Sequence, residues 1–205
     1  MLDNKTLQDL LTTCQFISQR GLSPATGGNF SVRVDINKMF ISASGKDKSQ
    51  LHEEDFVVCD FQAQKISGEG KPSAEGHLHG MIYALSAETQ CVLHTHSVPV
   101  TLLSLLKSKQ KDIIFQQYEM QKSIRGIESH EQPLHLTLFE NDQDMVRLSE
   151  QVKLRWQEVA PAHGLLVRGH GLYSWGNSIF EAKRHMEGLE FMVQCELLKS
   201  QVTTI

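Results

Sequence analysis

The stretch Asn29-Phe30-Ser31-Val32-Arg33-Val34-Asp35-Ile36-Asn37-Lys38-Met39-Phe40-Ile41-Ser42 decides the fold class. Phe30, Val32 and Val34 alternate with polar residues at the period of a strand, and 39–42 can return antiparallel across the polar turn 35–38. Outward from this hairpin the same grammar repeats. Residues 56–60 and 65–66 form a second hairpin-like pair, while 134–139, 164–168 and 171–175 read as further strands. Helices fall between them. Leu7, Leu10, Leu11, Cys14 and Ile17 recur at helical spacing over 4–20, with Gly21 as a stop signal, and further helices are expected over 75–87, 99–107 and about 143–159. A long final helix opens with Ser178 and Glu181 in capping-box spacing and presents Ala182, Met186, Leu189, Val193 and Leu197 as one stripe, read as core or subunit contact. Short hairpin-connected strands interleaved with helices predict an α/β sandwich with a largely antiparallel sheet, not a doubly wound parallel one.

With 205 residues the chain is long enough for a single substantial core, and one domain over 1–205 is expected. Lys+Arg 20 against Asp+Glu 24 leaves a net charge of -4, and no basic cluster alternates with aromatics, so nucleic acid is not an expected partner. Cys14, Cys59, Cys91 and Cys195 form no CxxC pair and no basic segment leads into an apolar one, which points to reduced thiols in the cytoplasm. No apolar run approaches the roughly 20 residues needed to span a bilayer, so no membrane association is expected.

Chemistry concentrates at His94-Thr95-His96, which closes the apolar run Cys91-Val92-Leu93 in a strand expected over 90–96. Imidazoles at i and i+2 of a strand share a face, so both can grip one cation, and a third from elsewhere completes a catalytic zinc set with an open position. His170 in Arg168-Gly169-His170-Gly171 is the candidate third. A single histidine is more often a hydrogen-bonded core or surface residue, but a buried pair is costly without a cation or another partner. His77 and His79 have the same spacing in a helical stretch, where i and i+2 point about 200° apart. They are expected not to be ligands.

Pro24-Ala25-Thr26-Gly27-Gly28-Asn29-Phe30-Ser31 sets glycines and small polar groups before a strand, where exposed backbone N–H groups can cradle an anion. Ser42-Ala43-Ser44-Gly45-Lys46-Asp47-Lys48 is a second such turn carrying two cations, and Lys71-Pro72-Ser73 precedes a helix N-terminus. Each alone is as a rule only a turn. Neither loop is a nucleotide motif, since GxxxxGK[ST] fails at Phe40 and Asp47 and no GxGxxG occurs. A phosphate monoester on a small molecule fits better.

Taken in order, Thr26-Gly27-Gly28-Asn29-Phe30-Ser31-Val32-Arg33, Ser42-Ala43-Ser44-Gly45, Lys71-Pro72-Ser73-Ala74-Glu75, His94-Thr95-His96-Ser97 and His170-Gly171-Leu172-Tyr173-Ser174-Trp175-Gly176 resemble the successive signatures of the class II (zinc) aldolase/adducin family, over about residues 7–198. Within it, Gly21-Leu22-Ser23-Pro24-Ala25-Thr26 and Gln117-Tyr118-Glu119-Met120-Gln121-Lys122 resemble the sugar-phosphate dehydratase branch of methionine salvage. The resemblance implies a three-layer α/β/α sandwich, a cytoplasmic homotetramer with sites at subunit interfaces, and one zinc per subunit. It implies His94, His96 and His170 as zinc ligands, and Gly28, Asn29, Ser44, Gly45 and Ser73 around the substrate phosphate. Glu119 matches the dehydratases' acid/base glutamate. Glu75 stands where animal dehydratases have cysteine and where the aldolases use a glutamate as acid/base and sometimes as zinc ligand, so two carboxylates compete for one role. Dehydrating a 2-keto sugar phosphate requires a proton to leave C3 and hydroxide to leave C4, and Glu119 is the preferred shuttle for both. Sugar-phosphate aldolases and 4-epimerases, which share zinc and phosphate loops, are the alternative activities. The adducin branch offers a scaffold without metal ligands, which retention of all three histidines argues against.

Overall fold

The computed structural model describes residues 2–202. Helix α1 (Asn4–Gln19) starts at an Asp3 N-cap whose carboxylate accepts from the Thr6 amide, and buries Leu7, Leu10, Cys14 and Ile17. The hairpin forms as β1 (Asn29–Arg33) and β2 (Lys38–Ser42), with Val32 opposite Phe40. Strands β3 (Phe56–Asp60) and β4 (Lys65–Ser67) extend the sheet on that side. Helix α2 (Gly76–Leu85) leads into β5 (Cys91–Thr95) and α3 (Val98–Leu106), with Ser97 as N-cap and proline in the first turn. Then come β6 (Asp112–Phe115), a 3-10 turn (Glu119–Ser123), β7 (Leu134–Phe139), α4 (Met145–Leu154), α5 (Trp156–Val159), β8 (Gly164–Val167), β9 (Gly171–Gly176) and α6 (Ile179–Val202).

All nine strands form one sheet in the order β4-β3-β2-β1-β5-β9-β8-β7-β6. Every pairing is antiparallel except β7 with β8. The sandwich has three layers, because the sheet separates two apolar cores. Phe30, Cys91, Leu93 and Leu172 pack with Leu10, Leu103 and Met186 from α1, α3 and α6, whereas Val92, Leu165 and Tyr173 pack with Leu78, Ile82 and Leu148 from α2 and α4. Period-two alternation therefore sends neighbours on one strand into different cores. Covering both faces also buries the polar positions of β1. Ser31 is satisfied beneath α2 by His79 Nδ1 at 2.7 Å and Tyr83 Oη at 2.8 Å.

Three local expectations are corrected. The helix expected over 143–159 is broken into α4 and α5 at Arg155, whose φ of -106 and ψ of 17 leave the helical region. No strand is read from the sequence over 112–115, whereas β6 there pairs with β7 along Ile113↔Leu136. Strand β5 ends at Thr95, so His96 lies just beyond it, its N–H donating to Leu22 O at 2.8 Å. The final helix follows its stripe, with Ala182, Met186, Leu189, Val193 and Leu197 all buried in the first core. Its start is capped on both sides, since Ser178 Oγ accepts from Glu181 N and the Glu181 carboxylate accepts from Asn177 N.

Candidate metal centre and phosphate loops

His94 lies at the register point where Asn29 of β1 and Tyr173 of β9 flank it. Its Nδ1–H donates to Leu172 O at 2.9 Å. A carbonyl only accepts, so the neutral ring must carry its lone pair on Nε2, on the side of the cluster. Tyr173 stacks on the ring at 3.8 Å between centroids, 13° from parallel, which fixes its plane. His96 Nε2 lies 2.8 Å and His170 Nε2 3.3 Å from that nitrogen. Glu75, at the start of α2, completes the group, its Oε1 2.7 Å from His170 Nε2 and 3.5 Å from His94 Nε2. All four donor atoms fall within 4.8 Å of one another. Three imidazole nitrogens and a carboxylate oxygen converging in this way form a donor set suited to zinc.

Two members of this group, His96 and Glu75, are displaced from their ordinary titration. Burial pushes His96 down to about 3, helped by His94 and His170. Burial alone would raise Glu75, but the facing His94 and the hydrogen bond from His170 hold it well below the usual carboxylate range. Neutral imidazole and ionised carboxylate are the ligand forms. His79 lies outside the four-donor cluster, buried against Ser31.

Glycines let the backbone close around the cluster. Gly28, at φ +78, would bring a Cβ within 2.5 Å of His94 O, and a Cβ on Gly171 would overlap Thr95 O and stand 2.7 Å from His94 Cε1. The candidate phosphate groups lie beside them. Asn29 Nδ2 donates to Ser73 Oγ at 3.2 Å and to Glu75 Oε2. The Ser44-Gly45 turn joins Lys71-Pro72-Ser73 through the Ala43↔Pro72 bridge and the bond from Ser44 N to Lys71 O at 2.9 Å. That bond occupies the Ser44 amide. Gly45 is exposed at φ +76.

Glu119 does not join the cluster within one chain. It lies on the exposed 3-10 turn, its side chain 73% accessible, paired with Lys122 Nζ at 2.6 Å and 3.7 Å from His130 Nδ1. Two buried charges escape a reading of the sequence. Lys48, 1% exposed, donates to Thr26 O and Lys46 O and so ties the glycine loop to the Ser44 turn. Glu190 is buried in α6 beneath β5. In sequence Lys48 is only a cation of its turn, and the position of Glu190 beside the apolar stripe is the one signal for it.

Residues 8–197 match the family described as Class II Aldolase and Adducin N-terminal domain. Methylthioribulose-1-phosphate dehydratase of Yersinia pestis (strain Pestoides F) is 46% identical over 197 residues, covering 96% of this chain and 88% of that protein. Its counterpart in Serratia proteamaculans (strain 568) is 44% identical, covering 96% of each. Among solved structures, L-fuculose-1-phosphate aldolase from Thermus thermophilus superposes with a TM-score of 0.77 at 20% identity, covering 98% of both chains. A sugar-phosphate aldolase from Thermotoga maritima gives 0.73 at 19% identity over 97% of this chain and 96% of that one. At that identity the structures speak for the fold.

Proposed function

Because the chain belongs to the class II aldolase and adducin family, we propose that it is a lyase converting 5-methylthioribulose 1-phosphate to 2,3-diketo-5-methylthiopentyl 1-phosphate and water, a step of methionine salvage. The observation that carries this reading is 46% identity, over 96% of the chain, with a methylthioribulose-1-phosphate dehydratase. The four-donor cluster supports a metal-dependent reaction.

His94, His96 and His170 would hold one zinc per subunit, with Glu75 beside them. When bound, zinc supplies Lewis-acid stabilisation of the negative charge that develops on the substrate's keto oxygen. The phosphate would be held by the backbone at Gly28 and Gly45, the Asn29 amide and the Ser44 and Ser73 hydroxyls. Anchoring that remote group fixes the reacting carbons relative to the histidines. Glu119 would take the proton from C3 and return it to the hydroxyl leaving C4, assistance worth roughly 10² to 10⁴-fold. Since its partners within the chain are Lys122 and His130 at the surface, it would serve the site of a neighbouring subunit in a cytoplasmic homotetramer.

The contact between Glu75 and His170 at 2.7 Å favours a second reading, in which Glu75 moves the proton and the enzyme is a sugar-phosphate aldolase or 4-epimerase. Incubation with methylthioribulose 1-phosphate, fuculose 1-phosphate and ribulose 5-phosphate, followed by mass, separates the two. Loss of one water from the first substrate alone is the expected outcome. Carbon–carbon cleavage or epimerisation of the others would replace it with the second reading.

A further inference from the structure

We propose that Glu190 is a positioning residue for the metal site, clamping the two hydroxyls that flank His96 and so fixing the direction of that imidazole. The proposal rests on the reading of His94, His96 and His170 as a zinc site. Glu190 is 7% exposed. Its Oε1 accepts from Thr95 Oγ1 and its Oε2 from Ser97 Oγ, both at 2.6 Å. Alternation along the chain makes this a clamp. Thr95 and Ser97 turn toward α6 while His94 and His96 turn toward the cluster, so the carboxylate holds the backbone of the ligand segment from behind.

His96 is the ligand that needs such help. His94 is oriented by its own ring, through Leu172 O and the stacked Tyr173. The His96 ring, among the described residues, hydrogen-bonds only to His94 Nε2, which is itself a ligand atom. It also lies past the end of β5, where its backbone has left the sheet ladder and is held by the bond to Leu22 O. Its aim therefore depends on where the chain at 95–97 is pinned.

Stability alone does not call for a carboxylate here. Leu189 and Val193 beside it on α6 are buried apolar residues, and replacing a buried polar network as a whole by well-packed apolar side chains of similar volume is often neutral or stabilising. What the carboxyl group adds is direction, since two hydroxyls donate at 2.6 Å each to the two oxygens of one planar group. Glu190 also borders a cavity of about 420 Å³ between α1, α3 and α6, with Leu22, Pro99 and Phe191 in its wall. An isosteric substitution there has room to fold.

The test is zinc affinity of the full chain by chelator competition, together with the visible spectrum of the cobalt-loaded protein, in wild type, Glu190→Gln, Thr95→Val and Thr95→Ser. Glu190→Gln and Thr95→Val should weaken zinc binding roughly ten- to hundredfold and alter the cobalt bands, while Thr95→Ser retains both. The melting temperature of the metal-free Glu190→Gln protein should be little changed. Wild-type affinity and an unaltered cobalt spectrum in Glu190→Gln would overturn the proposal, as would an equal loss in Thr95→Ser and Thr95→Val. Should Glu190→Gln not fold, the Thr95 pair decides alone. A wild-type protein that takes up no metal would remove the metal reading itself, and this proposal with it.

Discussion

Imidazole nitrogens at 2.8 and 3.3 Å from one another need a cation or a shared proton between them. On the proposed reading, the residues of the centre would answer to metal first and to folding second. His96→Ala removes one donor but leaves both apolar cores intact, so metal retention and turnover should both be lost at a nearly unchanged melting temperature. Full activity in a metal-free native protein would exclude the assignment. His79 makes the opposite case. Burial holds it down to about 3, far under its unfolded value, so it contributes stability above about pH 6.5 that is progressively lost as pH falls toward 3. Urea midpoints of metal-free protein should drop over that window, and less so in His79→Gln. That His94 and His96 face the same way was legible because strand spacing is a geometric signal. Glu190 was not, because a glutamate on a long helix has the same sequence signature whether it faces water or two buried hydroxyls.

At the scale of elements, close approach decides what can change. Helix α2 lies on the turn after β3 so tightly that a Cβ on Gly80 would overlap the carbonyl of Phe61. Gly80→Ala must displace backbone, and it should cost about 1–3 kcal/mol or more, read as a lower urea midpoint. Strand and helix identities were legible wherever hydrophobic period and turn chemistry agreed, as in the β1–β2 hairpin and the capped start of α6. They failed where one signal overran the other. Leu148, Val152 and Val159 keep an apolar rhythm across Arg155, so periodicity hid the break between α4 and α5. Edge strand β6 offers only the short run Ile113-Ile114-Phe115 after a lysine-rich stretch, too little for a pattern.

For the whole molecule, two carboxylates compete for one role, Glu119 from the surface and Glu75 from within the cluster. Glu119→Gln keeps size and hydrogen bonding but cannot accept a proton, so kcat should fall by roughly two to four orders of magnitude with zinc still bound, and Glu75→Gln should be milder. The reverse ranking would move the shuttle to Glu75. If Glu119 works across an interface, refolding a mixture of Glu119→Gln and His96→Ala chains should restore part of the activity that neither variant has alone. No recovery in confirmed hybrid oligomers would place the shuttle within one chain.

The strand order also governs when the centre can exist. Asn29 meets His94 only after β1 has found β5, and Tyr173 meets it only after β9 has closed on the other side. Both closures join segments far apart along the chain, the slow class of contact during folding. A nascent chain still attached to the ribosome before β9 emerges has two of the three histidines and no His170, hence no finished chelate. The four-donor cluster is therefore complete only once His170 and β9 are in place.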